Sequence, residues 1–355
     1  MKIILRLITD ESIDGVILGC TELPLILTGA NMASFFEYNG NSCTPHLVLF
    51  TIRRPLISIF IKEVLRILDQ TDIVFYRDVE QSFIAFAENR EDIRAAFIIG
   101  SRARTDHHAD QWSDMDIVLY TTKPSYYLQQ QDWLDNIGAV LCSFVFQTAG
   151  GDPERLNLFQ GGWQVDIVIH SVDILRNLAK TKTVPNNFFR GVRAIIDKDH
   201  LGKEIIPTQF QPPQTLSISE TAYLQVTNMF WFSSLYIAKQ LLRGELWVAK
   251  MREYDIKSYL LQMIEWHEKI VFGGEYDTWH AGRFICEWAD EDIQVALSKS
   301  FGRYDQIDSW NALLTTVDLF QKLSEEISHK MQYPRPVALE MEVSDWIKSK
   351  TDIVK

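Results

Sequence analysis

The chain has 355 residues, of which 46% are hydrophobic and 12% aromatic, enough to build the cores of one long or two ordinary domains. Its formal net charge of -12 argues against nucleic acid as the main partner, because phosphate backbones favour Lys- and Arg-rich surfaces. Four cysteines without paired spacing indicate reduced thiols, and we recognise no leader or membrane-length apolar run, so we expect a cytoplasmic protein without a membrane partner.

The first fifty residues differ in character from the rest of the chain. Residues 7–27 include the run Val16-Ile-Leu-Gly-Cys20-Thr21-Glu22 and resemble the C-terminal end of an aspartate/glutamate racemase. Enzymes of that family need two cysteines on opposite faces of the substrate, and no other cysteine here lies in a second such motif. We therefore interpret residues 1–50 as a remnant and linker, with a Gly/Asn/Ser stretch at 39–42, and expect no racemase activity.

Two helical patterns come next. Residues 56–68 have helical periodicity and belong to a connector that we place at 51–77. Residues 79–89 predict the first helix of the adjoining domain. Strands of a mixed sheet are expected after it, and residues 188–199 predict a last helix and strand of this domain.

Three carboxylates dominate this domain. A predicted buried strand over 93–99 ends in Gly100-Ser101, a second strand carries Asp114 and Asp116, and a third apolar run contains Asp166. Alternate residues of a strand project to the same face, so Asp114 and Asp116 are expected to lie side by side. Asp-x-Asp alone is common on solvated strand ends, but a carboxylate inside an apolar run is costly unless it is paired or metal-bound.

The residue types suit phosphoryl chemistry. Mg²⁺ prefers a few carboxylates together with waters and substrate phosphates, and two such ions can clamp the oxygens of an in-line displacement at phosphorus. Gly100 lets the backbone approach phosphates closely, and the N–H and hydroxyl of Ser101 can hold a phosphate oxygen. The pattern therefore predicts a metal-dependent nucleotidyltransferase.

From about residue 78 to 350 the sequence resembles the aminoglycoside 6-adenylyltransferases, a branch of the polymerase-beta-like nucleotidyltransferases. The resemblance rests on Gly100-Ser101-Arg102, the runs 112–118 and 165–166, and, in the second half, the runs 230–239, 261–266 and 310–320. It implies an α+β nucleotidyltransferase domain with a mixed sheet, followed by an α-helical bundle domain. We accordingly divide the rest of the chain into a nucleotidyltransferase domain at 78–206, a proline-rich linker at 207–218 and a helical substrate-binding domain at 219–355, with Ser219 capping its first helix.

The resemblance also implies an activity: transfer of AMP from ATP, with Mg²⁺, to a hydroxyl of an aminoglycoside such as streptomycin. On this hypothesis Asp114 and Asp116 hold the metal, Gly100, Ser101 and Arg102 face the triphosphate, and Asp166 is either a third ligand or the base. An acidic protein suits a polycationic acceptor, and a monomer is expected. The alternatives are a protein or other acceptor, and a nucleotide-binding regulator without turnover.

Four further residues are weaker candidates. Lys239 is predicted to reach the triphosphate or to pair with Glu245, and Glu265 to meet a cationic substrate or to form a helix-surface ion pair. Trp112 and Tyr236 are predicted to stack on adenine or pack against a sugar. Trp231 and Trp266 share this interpretation, with a place in the helix core as the alternative. The pair His107-His108 is interpreted as part of a solvated loop.

Overall fold

The computed structural model describes residues 37–38, 50–51, 75–208 and 218–354. The racemase-like segment, the stretch at 39–42 and the periodic segment at 56–68 lie outside the described residues, so the predictions made there stay predictions. The chain divides into two compact units, Met1–Ile206 and Pro207–Lys355, which are treated separately below.

The first unit is built on a mixed six-stranded sheet. Its strands and a small separate pair are, in chain order, β1 (Glu37–Tyr38), β2 (Phe50–Thr51), β3 (Ile93–Ile99), β4 (Met115–Thr121), β5 (Val140–Gln147), β6 (Pro153–Phe159), β7 (Trp163–Ser171) and β8 (Val192–Asp197). The sheet order is β5-β6-β7-β4-β3-β8, and β1 pairs only with β2. Within the six strands β4 and β7 run parallel, and every other neighbouring pair is antiparallel.

Within the described part of this unit, three α-helices accompany the sheet: α1 over residues 75–88, α2 (Pro124–Gln129) and α3 (Val172–Thr181). Alternate side chains of β4 and β7 enter two different cores, as period-two strands buried on both faces must. One core contains Phe83 of α1 with Ile117 and Ile167, and the other contains Leu175 of α3 with Val118 and Val168. The central strands are therefore nearly continuous apolar runs, and a charged residue on them stands out.

The predicted helix at 79–89 is confirmed, whereas the helix predicted at the start of 188–199 is wrong. The structure has a single tight turn at Asn186–Phe188 and then β8. Gly191 explains the difference, since its φ is +145° and a β carbon there would lie 2.4 Å from Cα of Arg104. Only glycine allows this backbone conformation and this approach, and both are incompatible with a continuing helix.

The second unit is helical. Its helices are α4 (Glu220–Leu242), α5 (Leu246–Phe272), α6 (Ile285–Trp288), α7 (Glu291–Ser300), α8 (Gln306–Met331), α9 (Val337–Ser349) and α10 (Thr351–Val354). Ser219 caps α4 as predicted, because its side chain accepts the N–H of Ala222. Phe230 of α4 stacks on Phe320 of α8 with ring centroids 3.5 Å apart, at the centre of one apolar core. Among the described residues no helix is long and apolar enough to cross a membrane.

Candidate active site

The three predicted carboxylates converge at one end of the sheet. Asp116 of β4 and Asp166 of β7 are register partners in the parallel pair, and Asp114 stands just before β4. One ligand atom from each of the three residues lies within 4.8 Å of the others. Carboxylates this close repel one another, and a divalent cation relieves that repulsion. The donor set, three carboxylate oxygens, suits a hard ion such as Mg²⁺.

The turn after β3 is fitted to this carboxylate cluster. Gly100 has φ +69°, and a β carbon at this position would lie 2.6 Å from Oδ2 of Asp116. Any other residue here would therefore have a strained backbone and would displace the Asp116 carboxylate. Gly100–Arg102 form one tight helical turn, in which buried Ser101 directly follows the glycine that approaches Asp116.

Ser101 carries an unsatisfied polar atom. Its side chain is 7% exposed, and its Oγ has no hydrogen-bond partner among the described residues. Burying a hydroxyl without a partner costs free energy, so such an atom in a native structure calls for an explanation. A phosphate oxygen bound at this turn would supply the missing partner, which is the role predicted from the sequence.

Arg102 holds the backbone that presents Asp114. Its Nε donates to the carbonyl of Asp114 at 2.8 Å and its Nη2 to the carbonyl of Ser113 at 2.6 Å, while its guanidinium lies 3.5 Å from the ring centroid of Tyr76. The hydroxyl of Tyr76 in turn donates to the carbonyl of Gln164 at 3.3 Å, at the start of β7. Arg102 thus supports the site from within the chain, and its contact with a triphosphate stays a prediction. Sequence reasoning missed Tyr76, which only the fold brings to Arg102.

A fourth carboxylate, Glu154 of β6, was also missed. Glu154 lies opposite Val168 of β7, which is two residues after Asp166 and therefore on the same face of the sheet. Its side chain is half-buried. Burial and the charge of Asp114 raise its pKa above the ordinary range. The Gly150-Gly151 pair indicates a hairpin turn in the sequence. The turn does not determine which residue of the next strand lies near Asp166, because that register is set by strand pairing in the sheet.

The pKa of Asp166 is strongly raised. Desolvation by burial is the largest cause, and the charges of Glu154 and Asp114 add to it, so that the pKa rises from 3.8 to about 7. A carboxylate in such surroundings is electrostatically unfavourable until a cation arrives. This is the expected property of a metal ligand or of a base poised near neutral pH.

The weaker candidates are one loop residue of the first unit and three helix residues of the second. Trp112 is 83% exposed in the loop before Asp114. Lys239 and Tyr236 are exposed on α4, where Lys239 faces the ring of Trp346 and Tyr236 faces the guanidinium of Arg252. Glu265 of α5 is partly buried, and desolvation raises its pKa. Helix-core positions are confirmed for Trp231 and Trp266, which are 0% and 8% exposed.

Replacing Ser101 with alanine is expected to raise the KM for ATP about 10-fold, the effect of losing one hydrogen bond to a charged phosphate. Thermal stability should not fall, because alanine removes a buried hydroxyl that has no hydrogen-bond partner in the described part of the chain. Ser234→Ala is the matched control, since Oγ of Ser234, on α4, is likewise buried and has no hydrogen-bond partner among the residues described. A KM for ATP that stays unchanged in Ser101→Ala would refute the phosphate contact.

Replacing Asp166 with asparagine is expected to stabilise the metal-free protein at pH 8 while abolishing turnover. With a pKa raised from 3.8 to about 7, the folded wild type binds a proton that the unfolded chain releases, so its stability declines as pH rises through that window. Asparagine removes this dependence. In EDTA, the melting temperatures of the wild type and of Asp166→Asn should be similar at pH 4 and differ at pH 8. Equal melting temperatures at both pH 4 and pH 8 would contradict the raised pKa of Asp166.

A nucleotidyltransferase is the class of protein that this site and fold define: a Gly-Ser turn and three converging carboxylates at one end of a mixed sheet. The sequence matches the family described as streptomycin adenylyltransferase over residues 76–350, well over half of the chain. The chain therefore belongs to that family.

Several individual proteins are similar to this chain. An aminoglycoside 6-adenylyltransferase of Campylobacter jejuni is 24% identical over 273 residues, covering 74% of this chain and 91% of that protein. Enzymes of the same name from Bacillus subtilis and Staphylococcus aureus are 24% and 23% identical, over 72% and 71% of this chain and 90% of each relative. A crystal structure of an aminoglycoside 6-adenyltransferase from Bacillus subtilis aligns with a TM-score of 0.35 and 18% identity, over 78% of this chain and 96% of that one.

Proposed function

We propose that the protein transfers AMP from ATP to a hydroxyl of an aminoglycoside, streptomycin or a related compound, and so confers antibiotic resistance. The convergence of Asp114, Asp116 and Asp166 within 4.8 Å is the observation that supports this most directly. Membership of the family and relatives named for aminoglycoside adenylylation support the acceptor class.

In this proposal Mg²⁺ is held by the three aspartates. The fit rests on two observations. The carboxylate oxygens are close together, and Oγ of Ser101, on the turn that approaches Asp116, has no hydrogen-bond partner among the described residues, a partner that a nucleotide phosphate would supply. The bound ion supplies charge neutralisation at the reacting phosphate. The chain's own part is positioning, with Gly100 and Ser101 cradling the phosphates and Arg102 keeping Asp114 in place.

The reaction forms a bond between the acceptor's hydroxyl oxygen and the α-phosphorus of ATP and breaks the bond from that phosphorus to the bridging oxygen of the β-phosphate. Pyrophosphate leaves, and the hydroxyl proton passes to a base or to water. The residue pattern is compatible with Asp166 as a metal ligand or as the base. Its position opposite Asp116 in the parallel strand pair supports the role of third ligand.

The second unit supplies further candidates for substrate contacts. Glu265 has a partly buried carboxylate with a raised pKa, a property that suits pairing with a guanidinium or ammonium group. Tyr236 and the exposed Trp112 are proposed to pack against rings of ATP or acceptor, and Lys239 to approach the triphosphate. We further propose that the enzyme acts as a monomer in the cytoplasm, without nucleic acid.

The test is pyrophosphate release from ATP and Mg²⁺ with streptomycin as acceptor, with kanamycin and spectinomycin as comparison acceptors. The expected result is release with streptomycin, a mass increase of one AMP on the drug, and loss of both in EDTA. ATP binding with no release for any of the three would overturn the aminoglycoside assignment. A protein that becomes labelled by AMP would then point to a macromolecular acceptor, and no labelling at all to a regulator.

A further inference from the structure

The face of the sheet that carries the aspartates continues past them to the sheet edge. Residues that lie opposite one another in a ladder share a face, so the register defines rows across the strands. One row runs Asp116, Asp166, Leu156 and Phe144. The next row, one step away, contains Glu154 directly opposite Phe146. We call Phe144, Phe146, Glu154 and Leu156 the edge platform.

The edge platform presents aromatic rings to solvent. Phe144 is 51% exposed and Phe146 is 63% exposed, although each belongs to a regular strand paired with β6. With strands about 4.8 Å apart, the rings stand roughly 10 Å from the strand that carries Asp166. That distance matches an acceptor whose hydroxyl reaches the aspartates while one of its rings covers the platform.

The edge platform also carries an unbalanced negative charge. No described side chain forms a hydrogen bond or ion pair with Glu154, and the charged groups that perturb it and its neighbour Asp166 are carboxylates. Three aspartates are enough to hold a metal, so Glu154 is left over as a half-buried carboxylate about 7 Å from Asp166 across the diagonal of the ladder. A carboxylate beside exposed aromatic faces is the combination that binds a cation carried on a ring, because the rings attract the cation as well.

We propose that the edge platform is the acceptor subsite: Glu154 pairs with a guanidinium or ammonium group of the acceptor, and Phe144 and Phe146 pack against the ring that bears it. The occupant is thus a small polycation with a cationic group about one ring away from the reacting hydroxyl. This inference rests on the proposed function, and it adds specificity-determining residues in the first unit that neither the motif nor the family match assigns.

The test separates acceptor binding from nucleotide binding. Glu154→Gln keeps the shape and removes the charge, and we expect it to raise the KM for streptomycin about 10- to 100-fold, as for loss of a charge-assisted pair. The kcat and the KM for ATP should stay within about 3-fold, because the metal ligands are untouched. Glu154→Asp should recover part of the loss. Phe146→Leu should raise the KM for streptomycin by a smaller factor, about 3- to 10-fold, and Phe146→Tyr should not.

Two variants serve as controls. Val145→Ala alters an exposed apolar residue of the same strand on the opposite face, and Glu88→Gln removes an exposed carboxylate from α1. Both should leave every kinetic constant unchanged. Unchanged KM for streptomycin in Glu154→Gln and Phe146→Leu, with an active wild type, would overturn the acceptor subsite and leave the proposed function standing. A dimer that Phe146→Leu converts to a monomer would also overturn it, since the occupant would then be a second copy.

Direct binding keeps the inference testable if the wild type does not turn over any aminoglycoside. Calorimetric titration of streptomycin into the wild type and into Glu154→Gln measures the subsite without catalysis. Binding that Glu154→Gln abolishes would support the subsite while the proposed reaction fails. Absence of binding to the wild type, or equal binding to both proteins, would overturn the subsite as well.

Discussion

Replacing Asp116 with asparagine is expected to lower kcat by at least about 10³-fold, because the change removes a negatively charged metal ligand at the centre of the proposed site. Asp116 lies between Asp166, its register partner, and the Gly100 turn, so the substitution acts at the middle of the carboxylate cluster. Asparagine has the same shape, and the variant should keep the melting temperature of the wild type or exceed it, since one of several repelling charges is lost.

Asp135→Asn is the matched control, since Asp135 is an exposed carboxylate in the same unit, at a helical turn away from the sheet face of the site. It should have normal activity. Calorimetric titration with Mg²⁺ and ATP gives a second readout, in which Asp116→Asn should lose the metal-dependent part of ATP binding. Near-normal turnover in Asp116→Asn would refute the assignment of this aspartate to the metal.

Replacing Gly100 with alanine is expected to lower both stability and activity. The residue has φ +69°, where a β carbon costs about 1–2 kcal/mol, and that carbon would also stand 2.6 Å from Oδ2 of Asp116. Something must shift, and the far end of the Asp116 side chain is the atom that can move. A displacement of this size at a catalytic group lowers turnover by about 10²-fold.

Gly244→Ala separates the two causes. Gly244 has φ +74°, close to that of Gly100, but a β carbon there meets nothing within 4 Å. The control should therefore lose about the same 1–2 kcal/mol of backbone stability and keep full activity. Denaturant unfolding measures the loss of stability in both variants, and pyrophosphate release measures the loss of activity. Together they separate backbone strain from displacement of the Asp116 carboxylate. Equal activity in the two variants would contradict the proposed catalytic role of the Asp116 carboxylate that Gly100 approaches.

The site was largely predictable because its signals are local in sequence. Three features differ from the apolar residues around them and are visible without a structure. They are the glycine after an apolar strand, the two aspartates two residues apart, and the single aspartate inside an apolar run. Ser219 is of the same kind, because a helix cap depends on its immediate neighbours.

Glu154, Tyr76 and the exposed rings of Phe144 and Phe146 were not predictable in this way. Nothing near Glu154 in the sequence distinguishes it from a solvated glutamate, since its importance arises from lying across the ladder from Val168 and Phe146. Arg102 looked like a phosphate ligand in the sequence, and only the fold shows it donating to the carbonyls of Ser113 and Asp114.

The sequence by itself determined the reaction class, the three aspartates, the Gly-Ser turn and the helical character of the second unit. The tertiary structure alone decided which strands are neighbours. The strand order places Asp116 opposite Asp166 and brings Glu154 to the same face of the sheet. The physical reason is that side-chain alternation within a strand follows from backbone geometry, whereas the register between strands depends on burial and turns distributed over the whole sheet.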